Sequence, residues 1–173
     1  MSETSERFSA RRRIQLSPNF FLDEFTHSQA AARHGIDIRV SEGDAVYDRL
    51  LHLASIGLQP ARDALGPVFV SSGYRPEALN RAIGGSPSSA HIDGRAADIV
   101  VVGHSPLAVA QWFADSDVPF DQVIHEFGRW VHVGMARPSE TPRRQLLTAV
   151  RKPGRTIYVR GLHSVDDALA RVA

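Results

Sequence analysis

Cysteine is absent from all 173 residues. The chain can therefore build neither a disulfide framework nor a thiolate metal site, and its stability has to come from a hydrophobic core. An excess of one charge is missing too: 20 Lys and Arg stand against 19 Asp and Glu, a formal net charge of +1. That balance argues against nucleic acid as a partner, which calls for a strong basic field. No apolar run approaches the ~20 residues of a membrane helix, which excludes an integral membrane segment. The N-terminal residues carry charges with no apolar stretch behind them, so they do not read as a secretory signal, and synthesis as a soluble cytoplasmic chain is expected. Aromatic residues are few at 8%, while 43% hydrophobic and 23% charged residues are ordinary for a globular protein. The length suits one domain with a proper core.

Along the chain, residues 1–16 are polar and arginine-rich and read as a loose tail, with Arg11–Arg13 a solvated charge run; residues 17–173 form one domain. Asn19–Phe25 and Ser28–Arg33 read as a capped helical region ending at Gly35. From Ser41, a candidate N-cap, Val46, Leu50, Leu53 and Ala54 recur at helical spacing, and Gly57 and Pro60 should break or kink that helix. Val68–Val70 is a short strand. Pro76–Ile83 is a helix closed by Gly84-Gly85. Ala97–Val102 is strand-like, Ser105-Pro106 opens a helix over Leu107–Ala114, and Gln122–Val133 reads as a hairpin interrupted at Phe127-Gly128-Arg129. Beyond Pro138 the pattern weakens, and Arg143, Arg144, Arg151, Lys152 and Arg155 read mainly as a solvated basic face. The order of elements predicts an α+β fold, a small antiparallel sheet packed against N-terminal helices.

The richest stretch for chemistry is Ser89-Ala-His91-Ile-Asp-Gly94-Arg-Ala96-Ala-Asp98. If Asp93-Gly94 is a two-residue hairpin turn, His91 opposes Ala96 and Ser89 opposes Asp98. His91 and Asp98 then share one face, diagonally about 7–8 Å apart. Asp98 also opens an apolar strand, where an unpaired carboxylate is costly and a cation would relieve it. The plainer reading pairs Asp98 with Arg75 or Arg95, or makes it a cap. His132, in Trp130-Val-His-Val-Gly134, is either a satisfied core residue or a third ligand. Imidazole and carboxylate together suit zinc, and three protein ligands leave a position open, as catalytic sites require.

A candidate base follows from strand parity. A three-residue loop at Phe127–Arg129 sets Glu126 opposite Trp130 and on the face of His132, whereas a two-residue loop promotes His125 instead. Glu126 could equally be an exposed carboxylate at a hairpin end, paired with Arg129.

Ser72-Gly-Tyr-Arg75, Ser89-x-His91-x-x-Gly94-x-Ala96-x-Asp98 and Trp130-Val-His132, with Phe25-x-x-Ser28 and Gln59-Pro-x-Arg62-Asp63, resemble one family of zinc peptidases. It includes D-Ala-D-Ala carboxypeptidases, vancomycin-resistance D,D-dipeptidases and phage L-alanyl-D-glutamate endolysins, and the resemblance spans roughly residues 19–135. It implies a hedgehog-like, D,D-peptidase-like fold with one catalytic Zn2+ held by His91, Asp98 and His132. Glu126 becomes the acid/base, Arg75 the cation facing the substrate carbonyl, and Ser89 and Tyr74 substrate contacts. One departure stands out: several members place the acidic residue three positions before the last His, where this chain has Arg129, with Glu126 six before. The implied substrate is a peptidoglycan stem peptide, cut by a monomeric phage or prophage lysis enzyme that reaches the wall on lysis or in a virion. A second reading is a non-catalytic, zinc-containing virion or wall-binding module, which would need no base. His104 and His163 match no motif and read as surface residues.

Overall fold

The computed structural model describes residues 13–173. In chain order the elements are β1 (Gln15–Ser17), β2 (Phe20–Phe21), α1 (Leu22–Thr26), α2 (Gln29–Arg33), α3 (Ala45–His52), α4 (Gln59–Leu65), β3 (Val68–Ser72), α5 (Glu77–Ala82), β4 (Ala96–Val101), α6 (Pro106–Asp115), β5 (Phe120–Glu126), β6 (Trp130–Met135), β7 (Gln145–Lys152), β8 (Arg155–Arg160) and α7 (Val165–Ala170). Of the tail expected over 1–16, residues 1–12, including Arg11 and Arg12, lie outside the described residues. Gln15 and Leu16 belong to β1, with Leu16 buried.

Six strands form one sheet in the order β3-β4-β6-β5-β7-β8. The expected small antiparallel sheet is thus corrected: it is larger, and it is mixed, because β5 and β7 run parallel. Side chains alternate across a strand, and here the alternation sorts structure from chemistry. Ala97, Ile99, Val101, Val123, Val131 and Val133 are buried in the core with Leu50, Leu53, Leu58 and Phe113. The opposite face carries Asp98, Glu126 and His132, and on it Phe69, Val100 and Tyr158 stay exposed.

The helix begun by α3 continues into α4 through a π-helical turn over Leu53–Leu58. Gly57 and Pro60 do not break it. The wider turn absorbs a residue, and Pro60 falls in the first turn of α4, where its missing N–H costs little. A Cβ on Gly57 would lie 3.0 Å from Met135 Sδ, so the glycine lets helix and β6 pack closely. The region expected to be helical from Asn19 instead starts with β2, and α1 and α2 are separate helices. Ser28 caps α2 by accepting from the Ala31 amide. The helix after Ser41 starts later, with Asp44 at its N-cap position; the Asp44 carboxylate makes no capping bond to the helix and accepts instead from the Ser41 amide. Gln59 ties β1 to α4: its side-chain oxygen accepts from Ser17 Oγ and its amide donates to Asn19 and Asp63.

Beyond residue 138, where the sequence pattern fades, the chain adds β7, β8 and α7. Arg143 grips Asp121 through both carboxylate oxygens, and Arg144 donates to the carbonyls of Ala114, Ser116 and Val118. These two arginines are structural rather than part of a solvated basic face. The segment after β8 is locked in by buried polar groups. Thr148 Oγ1 donates to the Gly161 carbonyl and accepts from the His163 amide, and His125 Nδ1 donates to the His163 carbonyl.

Two outcomes follow. Gly73 lies against α1 so closely that a Cβ would sit 2.5 Å from the Phe25 carbonyl oxygen. Gly73→Ala should cost about 2–3 kcal/mol, read as a lower midpoint in urea denaturation. Burial holds the His125 imidazole below its ordinary value, with the bond to His163 partly opposing. The unfolded chain then takes up protons first, so this histidine lowers stability as the pH falls through about 6.5. Denaturation curves between pH 7 and pH 5 should show that loss, and His125→Gln should show less of it.

Candidate metal centre

The turn after Ser89 is not the expected hairpin. Ala90–Asp93 form a short 3-10 turn closed by Gly94 in the left-handed conformation (φ 73°), and β4 starts only at Ala96. Arg95 takes part in holding this bend: its guanidinium donates to the Met135 carbonyl at 2.6 Å and to Asp93 at 3.2 Å. The turn folds His91 over the sheet instead of extending it as a strand. The convergence predicted with Asp98 survives, reached by a different path.

Asp98 and His132 come together through register. They are direct partners on the antiparallel strands β4 and β6, so their side chains rise side by side on the open face. His91 Nε2 lies 3.2 Å from Asp98 Oδ1 and 3.1 Å from His132 Nδ1, and His132 Nδ1 lies 3.0 Å from Asp98 Oδ1. His91 Nδ1 is committed, donating to the Gly73 carbonyl at 2.7 Å. Burial, the largest influence on His91, keeps its imidazole below its usual pKa and hence neutral. Its Nε2 therefore points a bare lone pair at its two neighbours. Burial pushes the Asp98 carboxyl up, yet the group is held well below the carboxylate range, with the hydrogen bond donated by His132 among the causes.

Three electron-rich atoms thus face one another with at most one proton, on His132 Nδ1, among them. A shared cation removes the conflict. Donors bonded at about 2.0–2.2 Å to a tetrahedral ion sit roughly 3.3–3.6 Å apart, close to the spacings found. His91, Asp98 and His132 are the one group of potential metal ligands of this kind among the described residues. The bond from Nδ1 to a backbone carbonyl is also the support that metal-binding histidines usually have.

The hairpin between β5 and β6 resolves the parity question. Its loop has three residues, with Phe127 at φ 56° and Gly128 at φ 69°, and Glu126 pairs with Trp130 and Ile124 with His132. Glu126 is on the metal-site face, and its Oε2 accepts from Trp130 Nε1 at 3.0 Å. It is bound to Trp130 rather than to Arg129. Burial and then the charge of Asp98 push its carboxyl up, with His132, Trp130 and Arg75 opposing. His125 turns to the opposite face and is occupied by His163.

Arg75 is half-buried, its amide donates to the His91 carbonyl, and its Nε is buried with no partner among the described residues. Its charge acts on both His91 and Glu126, which puts it beside the centre. Arg75 also lines a cleft of about 390 Å³, together with Ser28, Ser72, Tyr74 and Leu79. Tyr74 packs against the core, and the charges that act on its phenol belong to Arg49, Asp44 and Asp93 rather than to the histidine pair. Ser89 is half-buried at the start of the 3-10 turn, with no side-chain capping bond. His104 is exposed, whereas His163 is half-buried and bonded to Thr148 and His125. Residue-type reasoning overlooked the Gly73 carbonyl, because a backbone acceptor leaves no mark on residue identity.

A sequence profile described as peptidase M15 matches residues 18–134. No curated protein matches the chain. The matched span contains every residue of the three-donor cluster as well as Arg75 and Glu126, and it exceeds half the chain. The chain belongs to the M15 family of metallopeptidases.

Proposed function

We propose that this protein is a zinc-dependent peptidase that hydrolyses peptidoglycan stem peptides, and that it serves as a phage or prophage cell-wall lysis enzyme. The observation that carries the reading is the convergence of His91 Nε2, Asp98 Oδ1 and His132 Nδ1 within 3.2 Å of one another, on the same sheet face as Glu126. Zinc, when bound, polarises the scissile carbonyl and lowers the pKa of water.

The remaining work falls to the chain's own side chains. Glu126 takes the proton of the attacking water and delivers it to the departing amine. Its raised pKa suits this exchange, since a carboxyl poised nearer neutrality both accepts and releases a proton readily. Trp130 holds the carboxylate by one oxygen and leaves the other for the proton. Arg75 supplies the positive charge for the oxygen of the carbonyl under attack. Ser89 and Tyr74 contribute to peptide binding at the margins. A base on the metal face favours catalysis over the wall-binding module, which has no use for one. We further propose that the protein acts as a monomer.

Glu126→Gln and Arg75→Ala should each fold and bind zinc yet lose about a hundredfold or more in kcat; near-normal turnover by either removes that residue from the chemistry. His91→Ala should lose the metal, measured by elemental analysis of the purified variant, and full zinc occupancy would rule out this ligand set. The decisive experiment is mass spectrometry of murein peptides after incubation, with and without chelator. New fragments that vanish on chelation, and that identify the bond cut, are expected. Intact peptides under both conditions would reject the peptidase.

A further inference from the structure

The family profile stops at residue 134, yet the sheet face bearing the metal centre continues for two more strands, β7 and β8. Register shows which side chains this addition brings alongside. Glu126 is level with Ala149 and, through it, with Tyr158; His132 is level with Ile124, then Leu147, then Arg160. Partners across strands share a face, so Tyr158 and Arg160 stand on the same surface as the metal ligands. Between Glu126 and Tyr158 stands only Ala149, itself fully buried, so one small residue separates the two larger side chains.

Both side chains are uncommitted. Tyr158 is 54% exposed, unusual for a large aromatic, and among the described residues no ion pair or hydrogen bond engages the side chain of Tyr158 or Arg160. The backbone carbonyl of Arg160 accepts from His163 Nε2. Burial raises the Tyr158 phenol, and the carboxylates of Glu126 and Asp98 add to it, so the ring stands within electrostatic reach of the centre. The mounting is firm. Gly161 turns the chain just after Arg160 at φ 89°, its amide donates to the Leu146 carbonyl, and Thr148 and His125 clasp the segment that follows.

We propose that β7–β8 forms a carboxylate-binding subsite, in which Arg160, assisted by the Tyr158 hydroxyl, receives an anionic group of the peptide substrate. The inference rests on the peptidase reading above and specifies its substrate class: peptides with a free carboxylate close to the scissile bond. Strands lie about 4.7–4.9 Å apart, so three spacings separate the Arg160 backbone from that of His132 by about 14 Å. An extended peptide rises about 3.3 Å per residue. Allowing for the reach of the arginine, the anionic group lies about two to three residues from the bond being cut. Charge supports the assignment. Near the centre Asp98 and Glu126 would repel a carboxylate, whereas at the rim the arginine fork is matched to it in shape and sign. Arg75 and its cleft lie on the far side of the centre, so the substrate would cross the strands from that cleft to β8.

The test compares two stem peptides, one with the α-carboxylate of its D-glutamate free and one with that group as the carboxamide. Binding to the zinc-loaded full chain is read by calorimetry, or from KM if the peptide is cut. The wild type should prefer the carboxylate by about tenfold, as expected for a charged hydrogen-bond pair. Arg160→Glu should abolish the preference, Arg160→Lys should retain part of it, and Tyr158→Phe should reduce it; circular dichroism of each variant confirms the fold. A wild type that does not discriminate, or an Arg160→Glu variant that discriminates as well as the wild type, overturns the subsite. The two proposals fail separately. Cleavage without preference removes the subsite and keeps the peptidase, whereas preferential binding without cleavage removes the peptidase and keeps the subsite.

Discussion

The hydrogen bond from His91 Nδ1 to the Gly73 carbonyl is the constraint on which the candidate centre depends. It settles which nitrogen of a buried imidazole carries the proton, and so leaves Nε2 bare toward Asp98 and His132. The acceptor is itself immobile. Gly73 is wedged against the backbone of Phe25, and the Tyr74 amide donates to the Phe25 carbonyl at 2.8 Å. Phe25 is fully buried. A core aromatic, a glycine that alone can approach it, and a ligand tautomer thus form one mechanical chain.

The second organising element is the sheet's division of labour. One face is an apolar core against α3, α4 and α6; the other carries every charged group of the centre. The division explains why adjacent residues such as His125 and Glu126 have such different surroundings. One is buried and bonded to the C-terminal segment, and the other stands beside Asp98 and Trp130. It also explains a carboxylate inside an apolar strand. Asp98 interrupts the run from Ala96 to Val101 only on the face where it has partners.

The C-terminal segment is bound into the same sheet. Its parallel pairing with β5 runs directly behind Glu126, and its fastening depends on buried polar groups, Thr148 and His125, that bond to backbone. Because the pairing is continuous, the position of β8 follows rigidly from that of the hairpin carrying Glu126 and His132. Whatever touches β8 is therefore presented at a set distance from the metal ligands.

Much of this was legible in the residues themselves. The candidate donor set, the helix starts at Ser28 and Ser105 and the α+β character follow from side-chain chemistry and short-range periodicity, which act over a few neighbours. The choice between a two- and a three-residue loop before Trp130 was left to the tertiary structure. The Asp93-Gly94 turn was misread because a Gly in left-handed conformation closes a 3-10 turn as readily as a hairpin, and only the docking of Arg95 onto Met135 chooses between them. The π turn, the parallel partner of β7 and the placement of Tyr158 and Arg160 over the open face were likewise beyond local reading. Each is decided by packing between segments far apart in the chain, and such packing depends on shape and register in three dimensions, for which residue order alone carries no local signal.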